Sequence, residues 1–167
     1  MFKIRYKSHH DVGNVISKFT KNFKASKEDF ISLLEGVNVN KQLALYFHTP
    51  YCYKICSFCN MNRKQLDNDL EEYTKYICDE IKKYGAYKFC KTSEVDVVFF
   101  GGGTPTIFKK EQLEKILKTL RENFIFSKYY EMTFETTLHN LSFEKLEIME
   151  KYGVNRISVG IQTFSDR

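Results

Sequence analysis

Beyond residue 40 the chain alternates short apolar runs, rich in β-branched and aromatic residues, with longer stretches of helical periodicity. That alternation is the pattern of βα units, which wind into a parallel sheet and place ligands at the carboxyl ends of the strands. Four strands are expected: Leu43–Phe47, Val95–Phe100, Tyr130–Phe134 and Arg156–Ile161. Between them, Leu70, Tyr73, Ile77, Ile81 and Tyr84 form one helical stripe, with Asp67 or Asn68 placed to cap it and Gly85 to end it. Leu113, Ile116, Leu117 and Leu120 form a second stripe. Leu146, Met149 and Tyr152 form a third, opening at Ser142 and stopping at Gly153. All three read as core-facing. Residues 1–40 read as an N-terminal leader with helical character from Lys27 to Glu35, appended to a core of residues 41–167. The sequence ends at Ser165-Asp166-Arg167, directly after the fourth strand. Since a closed barrel of eight βα units takes about 250 residues, the expectation is the first units of a barrel, truncated before its end.

The strand ends carry the two segments with chemical potential. Cys52, Cys56 and Cys59 make C-x3-C-x2-C a few residues after the first strand, and they are three of the chain's five cysteines. Thiolates are soft ligands that suit iron–sulfur clusters and zinc. Three of them hold three corners of a cubane and leave the fourth iron open to a small molecule. Zinc is the alternative, with His48 or His139 completing a closed Cys3His site. The second segment, Gly101-Gly102-Gly103-Thr104-Pro105, follows the second strand. Three glycines let a backbone approach a ligand closely, although a glycine run by itself is also an ordinary turn. No Gly-Lys-Ser/Thr follows and the spacing is not that of a dinucleotide fingerprint, so neither phosphate-binding loop applies.

Composition narrows the class. With 167 residues, 43% hydrophobic and 28% charged, and only 2 Pro and 8 Gly, the chain has the make-up of a folded domain and not of a disordered one. Apolar runs such as Val97–Phe100 are far too short to cross a bilayer. The N-terminal residues lack the apolar stretch of a secretory signal, which predicts a cytoplasmic protein with reduced thiols. The net charge of +5 is spread over faces where Lys82-Lys83 and Lys109-Lys110 alternate with acidic residues, so no nucleic-acid partner is expected.

In combination, several segments resemble the radical S-adenosylmethionine superfamily. They are Tyr46-Phe47-His48-Thr49-Pro50-Tyr51-Cys52 running into C-x3-C-x2-C, then GGGTP, then Glu135 ending the third strand, then the segment from Gly153 to Phe164. The branch they resemble is the oxygen-independent coproporphyrinogen III oxidase-like family, which includes haem-utilisation enzymes and haem chaperones. The resemblance runs from about residue 43 to the end and favours iron–sulfur over zinc. It implies an α/β fold, the N-terminal part of an incomplete (β/α)6 TIM-like barrel. It also implies a [4Fe-4S] cluster on Cys52, Cys56 and Cys59, with the amino and carboxylate groups of S-adenosylmethionine on the open iron. Reductive cleavage to a 5'-deoxyadenosyl radical would then act on a tetrapyrrole, a porphyrinogen or haem, with electrons from a low-potential donor such as flavodoxin or ferredoxin.

By position, the resemblance places Tyr46 near the sulfonium and Phe58 on the adenine side. It places Gly102, Gly103 and Thr104 at the methionyl amino group, and Glu135 and Gln162 at ribose or methionine polar atoms. Arg156 is the expected ion-pair partner of Glu135, and no residue is assigned a catalytic proton or hydrogen transfer. The pattern departs from that of the oxidases at Met61, where they carry a further Cys, and at Thr136-Thr137-Leu138-His139-Asn140, where they run to Asp-Pro. Three readings follow: a porphyrinogen oxidase, an anaerobic haem-utilisation enzyme that methylates and opens the ring, or a non-catalytic haem chaperone.

Overall fold

Phe47, Phe100 and Phe134 lie on three different strands, and their rings stack in a row with centroids 4.5 and 4.0 Å apart. This aromatic ladder runs through the middle of the core. The computed structural model describes residues 26–161, which divide into two units between Leu33 and Leu34. Helix α1, Lys27–Glu35, has the bounds expected from the sequence. Its start is capped reciprocally: Ser26 N donates to Asp29 Oδ2 at 2.8 Å and Asp29 N donates to Ser26 Oγ at 3.1 Å. The bonds from Ser26 hold the Asp29 carboxyl below its usual range.

The second unit is built on four parallel strands in the order β1-β4-β5-β6, where β1 is Gln42–Thr49, β4 Glu94–Gly102, β5 Phe126–Thr137 and β6 Arg156–Gly160. Two shorter strands, β2 (Tyr51–Cys52) and β3 (Lys64–Gln65), pair in parallel as a second sheet. The crossovers carry helices α2 (Glu71–Ala86), α3 (Lys88–Lys91), α4 (Lys110–Asn123) and α5 (Phe143–Lys151). All four expected strands are present, the third beginning four residues earlier and the fourth ending one residue sooner than the apolar pattern suggests.

One face of the large sheet meets the helices. Val95, Val98, Phe100, Met132 and Phe134 are buried there against Ile77 and Ile81 of α2, the whole α4 stripe and Met149 of α5. Alternation along β1 turns Leu43, Leu45 and Phe47 to the same core. A register shift between Val95 and Val97 resets the alternation in β4, so that Val95 and Val98 both point inward while Val97 stays 40% exposed. The opposite face carries Tyr46, Phe99 and Thr133, with no helix of the described residues on it. No described helix is long and apolar enough to cross a membrane.

Two helix ends differ from expectation. Helix α2 is not capped by Asp67 or Asn68: its N-cap is Leu70, which makes no side-chain cap and is buried in the core instead. Neighbouring Asp69 bonds to Lys109, and accepts from Gln112 Nε2 at 2.8 Å, joining the starts of α2 and α4. Nor does Gly85 end α2, which runs on to Ala86. Gly85 is a point of close approach, since a Cβ there would stand 2.7 Å from Asn123 O at the end of α4. Gly85→Ala should therefore force the two helices apart and destabilise the chain by roughly 1–3 kcal/mol, the usual cost of overpacking. A denaturant midpoint equal to that of the parent would contradict this. Helix α5 behaves as expected, with Ser142 Oγ accepting from Lys145 N at 3.4 Å and the helix stopping before Gly153.

Candidate functional site

At the carboxyl edge of the large sheet the strands open onto a cavity of about 860 Å³, lined by Cys52, Cys56, Phe58, Cys59, Gly103, Thr104 and Glu135. Seven of the ten residues expected at a cofactor site thus meet around one space. Tyr46 and Gly102 stand just outside its lining, and Gln162 lies outside the described residues.

Glycine is required on the β4 side of this space. Gly102 has a φ of +111°, and a Cβ on Gly103 would lie 2.6 Å from Tyr51 O and 2.9 Å from Cys52 Sγ. This close approach lets Gly103 N donate to Thr49 O at 2.6 Å and Thr104 N to Tyr51 O at 2.9 Å. Thr104 Oγ1 then lies 3.4 Å from Cys52 Sγ and donates to it. The glycine run and the first cysteine are therefore one packed unit.

The cysteine loop is tied at both ends and exposed between them. Lys64 N donates to Pro50 O at 2.6 Å and Leu66 N to Cys52 O at 2.8 Å, closing the loop where β2 meets β3. Three side chains complete the closure: His48, which the sequence offers as a candidate zinc ligand, and Arg63 and Tyr73, which sequence reasoning missed. Arg63 donates to Cys59 O at 2.5 Å and to Met61 O at 3.1 Å. His48 Nε2 lies 2.8 Å from Asn62 O. A carbonyl only accepts, so Nε2 carries the proton and Nδ1 accepts from Tyr46 Oη at 3.0 Å. Tyr73 Oη donates to His48 O at 2.6 Å. The only hint of the Arg63 role in the sequence is proximity to the cysteines, and Tyr73 carries none.

Burial, followed by the neighbouring Tyr51, Tyr76 and Tyr46, pushes the Tyr73 phenol up to about 12 from an ordinary 10.0. The folded chain then keeps this proton after the unfolded chain has lost it, so stability falls as pH rises from 10 towards 12 and levels beyond. Tyr73→Phe should flatten that alkaline decline. It should also cost about 1 kcal/mol at neutral pH through the lost bond to His48 O. Thermal melts of both forms at neutral pH and from pH 10 to about 12 measure both effects, and identical alkaline slopes would contradict the assignment.

The acidic group at the site is Glu135, half-buried at the end of β5, whose Oε2 accepts from Gly102 N at 3.3 Å. Its expected partner Arg156 is engaged elsewhere, donating to Glu131 Oε1 at 2.8 Å. Register explains this: Arg156 stands opposite Thr133, two residues before Glu135. Glu135 is left with the backbone of the glycine run as its partner. Partial burial and then the charge of Glu135 raise the phenol pKa of Tyr46, whose ring stacks on Phe99 with centroids 6.1 Å apart.

The donor set fits an iron–sulfur cluster. All three thiols are free, and they share the cavity, although among the described residues no three His, Cys, Asp or Glu side chains converge on one metal position. Tyr53–Phe58 are exposed while Cys52 and Cys59 are half-buried at the tied ends. Cys56 can therefore move in towards the other two without breaking a packed core.

Comparison with known proteins gives the chain's family. The profile of the radical SAM superfamily matches residues 46–167. The chain is 33% identical over 127 residues to the oxygen-independent coproporphyrinogen III oxidase of Escherichia coli K12, covering 75% of this chain and 27% of that one. It is 35% identical over 128 residues to the haem chaperone HemW of Bacillus subtilis, covering 72% and 32%. Against the anaerobilin synthase of Escherichia coli O157:H7 the figures are 31% over 124 residues, covering 74% and 28%. The solved coproporphyrinogen III oxidase HemN of Escherichia coli, described as a radical SAM enzyme, superimposes with a TM-score of 0.75 at 29% identity, over 84% of this chain and 32% of that one. The chain thus spans about a quarter to a third of the length of these relatives, and its parallel sheet of βα units corresponds to part of their fold. Matched over residues 46–167 and carrying its cysteines on the cavity at the sheet's carboxyl edge, the chain belongs to the radical SAM superfamily.

Proposed function

We propose that the chain holds a [4Fe-4S] cluster through Cys52, Cys56 and Cys59, binds S-adenosylmethionine beside it, and serves radical chemistry on a tetrapyrrole. The observation that carries this reading is the meeting of three free thiols, the glycine–threonine turn and Glu135 on one cavity at the carboxyl edge of a parallel sheet. Membership of the family implies both cofactors. When bound, the cluster supplies the electron that splits the sulfonium of S-adenosylmethionine and yields a 5'-deoxyadenosyl radical.

The chain's own residues bind and orient. Hydrogen bonds already engage the backbone N–H groups of Gly102, Gly103 and Thr104. What remains for the methionyl ammonium is acceptors: the carbonyl oxygens of Gly102 and Gly103 and the lone pairs of Thr104 Oγ1. Glu135 Oε1 has no partner among the described residues and is free to accept from an ammonium or a ribose hydroxyl. Phe58, 69% exposed on the cavity wall, offers a flat face to adenine. The Tyr46 ring offers its π-face to the sulfonium cation, and Gln162 contributes a further polar contact to ribose or methionine. The electron comes from a low-potential donor of the flavodoxin or ferredoxin kind.

The relatives' names divide between oxidation of a porphyrinogen, synthesis of anaerobilin and delivery of haem, and all three concern a tetrapyrrole. The test is anaerobic reconstitution with iron and sulfide, reduction, and incubation with S-adenosylmethionine and either haem or coproporphyrinogen, followed by mass spectrometry. The expected result is 5'-deoxyadenosine with a changed tetrapyrrole mass, which distinguishes decarboxylation from ring alkylation. Intact S-adenosylmethionine with haem returned unchanged would replace the enzyme by a chaperone. Absence of S-adenosylmethionine binding would overturn the proposal.

A further inference from the structure

The cavity has a second wall that the cofactor residues leave unused. It is formed by the turn after β5, Leu138–Asn140, and by the end of β6, and it presents Leu138, Val159 and Ile161 to the space. These apolar side chains are 61, 37 and 46% exposed. His139 lines the same wall, is exposed, and makes no side-chain hydrogen bond among the described residues. The turn that carries it is firmly held. Asn140 Nδ2 donates to Thr137 Oγ1 at 2.7 Å, and Lys145 Nζ donates to Asn140 O at 3.1 Å and to Thr106 O at 2.7 Å. Beneath it the buried hydroxyls of Thr106 and Thr136 lie 2.6 Å apart. Lys54, on the cysteine loop, lines the cavity too and forms no ion pair among the described residues.

An imidazole on a fixed turn, set among exposed apolar side chains, suits a flat apolar ring with a metal at its centre. An unpaired ammonium on the same cavity suits the carboxylates at such a ring's edge. We propose that His139 ligates the iron of haem, with Leu138, Val159 and Ile161 against the macrocycle and Lys54 facing a propionate, so that this cavity takes haem in preference to the iron-free porphyrin. The proposal rests on the tetrapyrrole reading above. It adds the metal as the recognised feature and a residue that recognises it.

The test titrates haem and iron-free protoporphyrin IX anaerobically into the cluster-reconstituted chain and into His139→Ala, following the Soret band and the haem electron paramagnetic resonance. Wild type should bind haem with a histidine-ligated spectrum. His139→Ala should lose that spectrum and at least about tenfold in haem affinity, while keeping its protoporphyrin affinity and its iron–sulfur content. Added imidazole should restore the ligated spectrum to His139→Gly. An unchanged haem spectrum in His139→Ala would overturn the proposal. Equal losses for haem and protoporphyrin would also overturn it, since they indicate packing without ligation, and so would loss of the cluster. Wild type binding protoporphyrin as tightly as haem would overturn the metal recognition alone. Wild type binding neither would overturn the tetrapyrrole reading with it.

Discussion

Cys56→Ala should leave the chain folded and almost without iron. After anaerobic reconstitution the variant is expected to hold less than about a tenth of the iron and sulfide of its parent, because a cubane held at two corners is exposed to solvent and exchange. Cys56 sits in the middle of an exposed loop, and the loop's closure depends on Arg63, His48 and the β2–β3 pair. Its thiol supports no packing, so stability should change by no more than about 0.5 kcal/mol, as for other exposed positions. Iron analysis of the reconstituted proteins and thermal melting of both in their iron-free form separate the two effects. Iron retained at the parent level would contradict the ligand assignment.

Glu135→Ala should reverse that pattern, keeping the cluster and losing S-adenosylmethionine. The carboxylate is the acidic group among the lining residues and is anchored to Gly102 N through one oxygen only. A hydrogen bond to a charged partner contributes about 1.5–3 kcal/mol, so the dissociation constant should rise roughly ten- to a hundredfold. Glu135→Gln, which keeps an acceptor for Gly102 N and loses the charge, should fall between the two. Equilibrium binding to the reconstituted variants measures this, and unaltered affinity in Glu135→Ala would remove Glu135 from the site.

The strands were legible because their residues are apolar in a pattern only a buried sheet explains, and Phe47, Phe100 and Phe134 mark three of them. The early start of β5 was hidden by Ser127, Lys128 and Tyr129, polar or exposed residues at the edge of the core. The pairing of Arg156 with Glu131 was not legible, because it depends on the offset between β5 and β6 and no local pattern encodes that offset. Gly85 is not distinguishable in sequence, because a glycine that ends a helix and one that admits a neighbouring backbone look alike there. At the site, the cysteines and glycines stood out by spacing. Arg63 and Tyr73 did not, and His48 stood out only as a candidate zinc ligand, since each acts by a side-chain bond to a main-chain carbonyl that only the folded chain brings within reach. Two-residue strands such as β2 and β3 carry no periodicity to detect.

The central claim is that Cys52, Cys56 and Cys59 hold a cluster with an iron open to S-adenosylmethionine. The most direct measurement is iron and acid-labile sulfide content of the anaerobically reconstituted chain, with the electron paramagnetic resonance of its reduced form recorded before and after S-adenosylmethionine. The account predicts about four irons and four sulfides per chain and a spectrum that shifts when S-adenosylmethionine is added. A colourless protein that takes up zinc, or a cluster spectrum indifferent to S-adenosylmethionine, would contradict it.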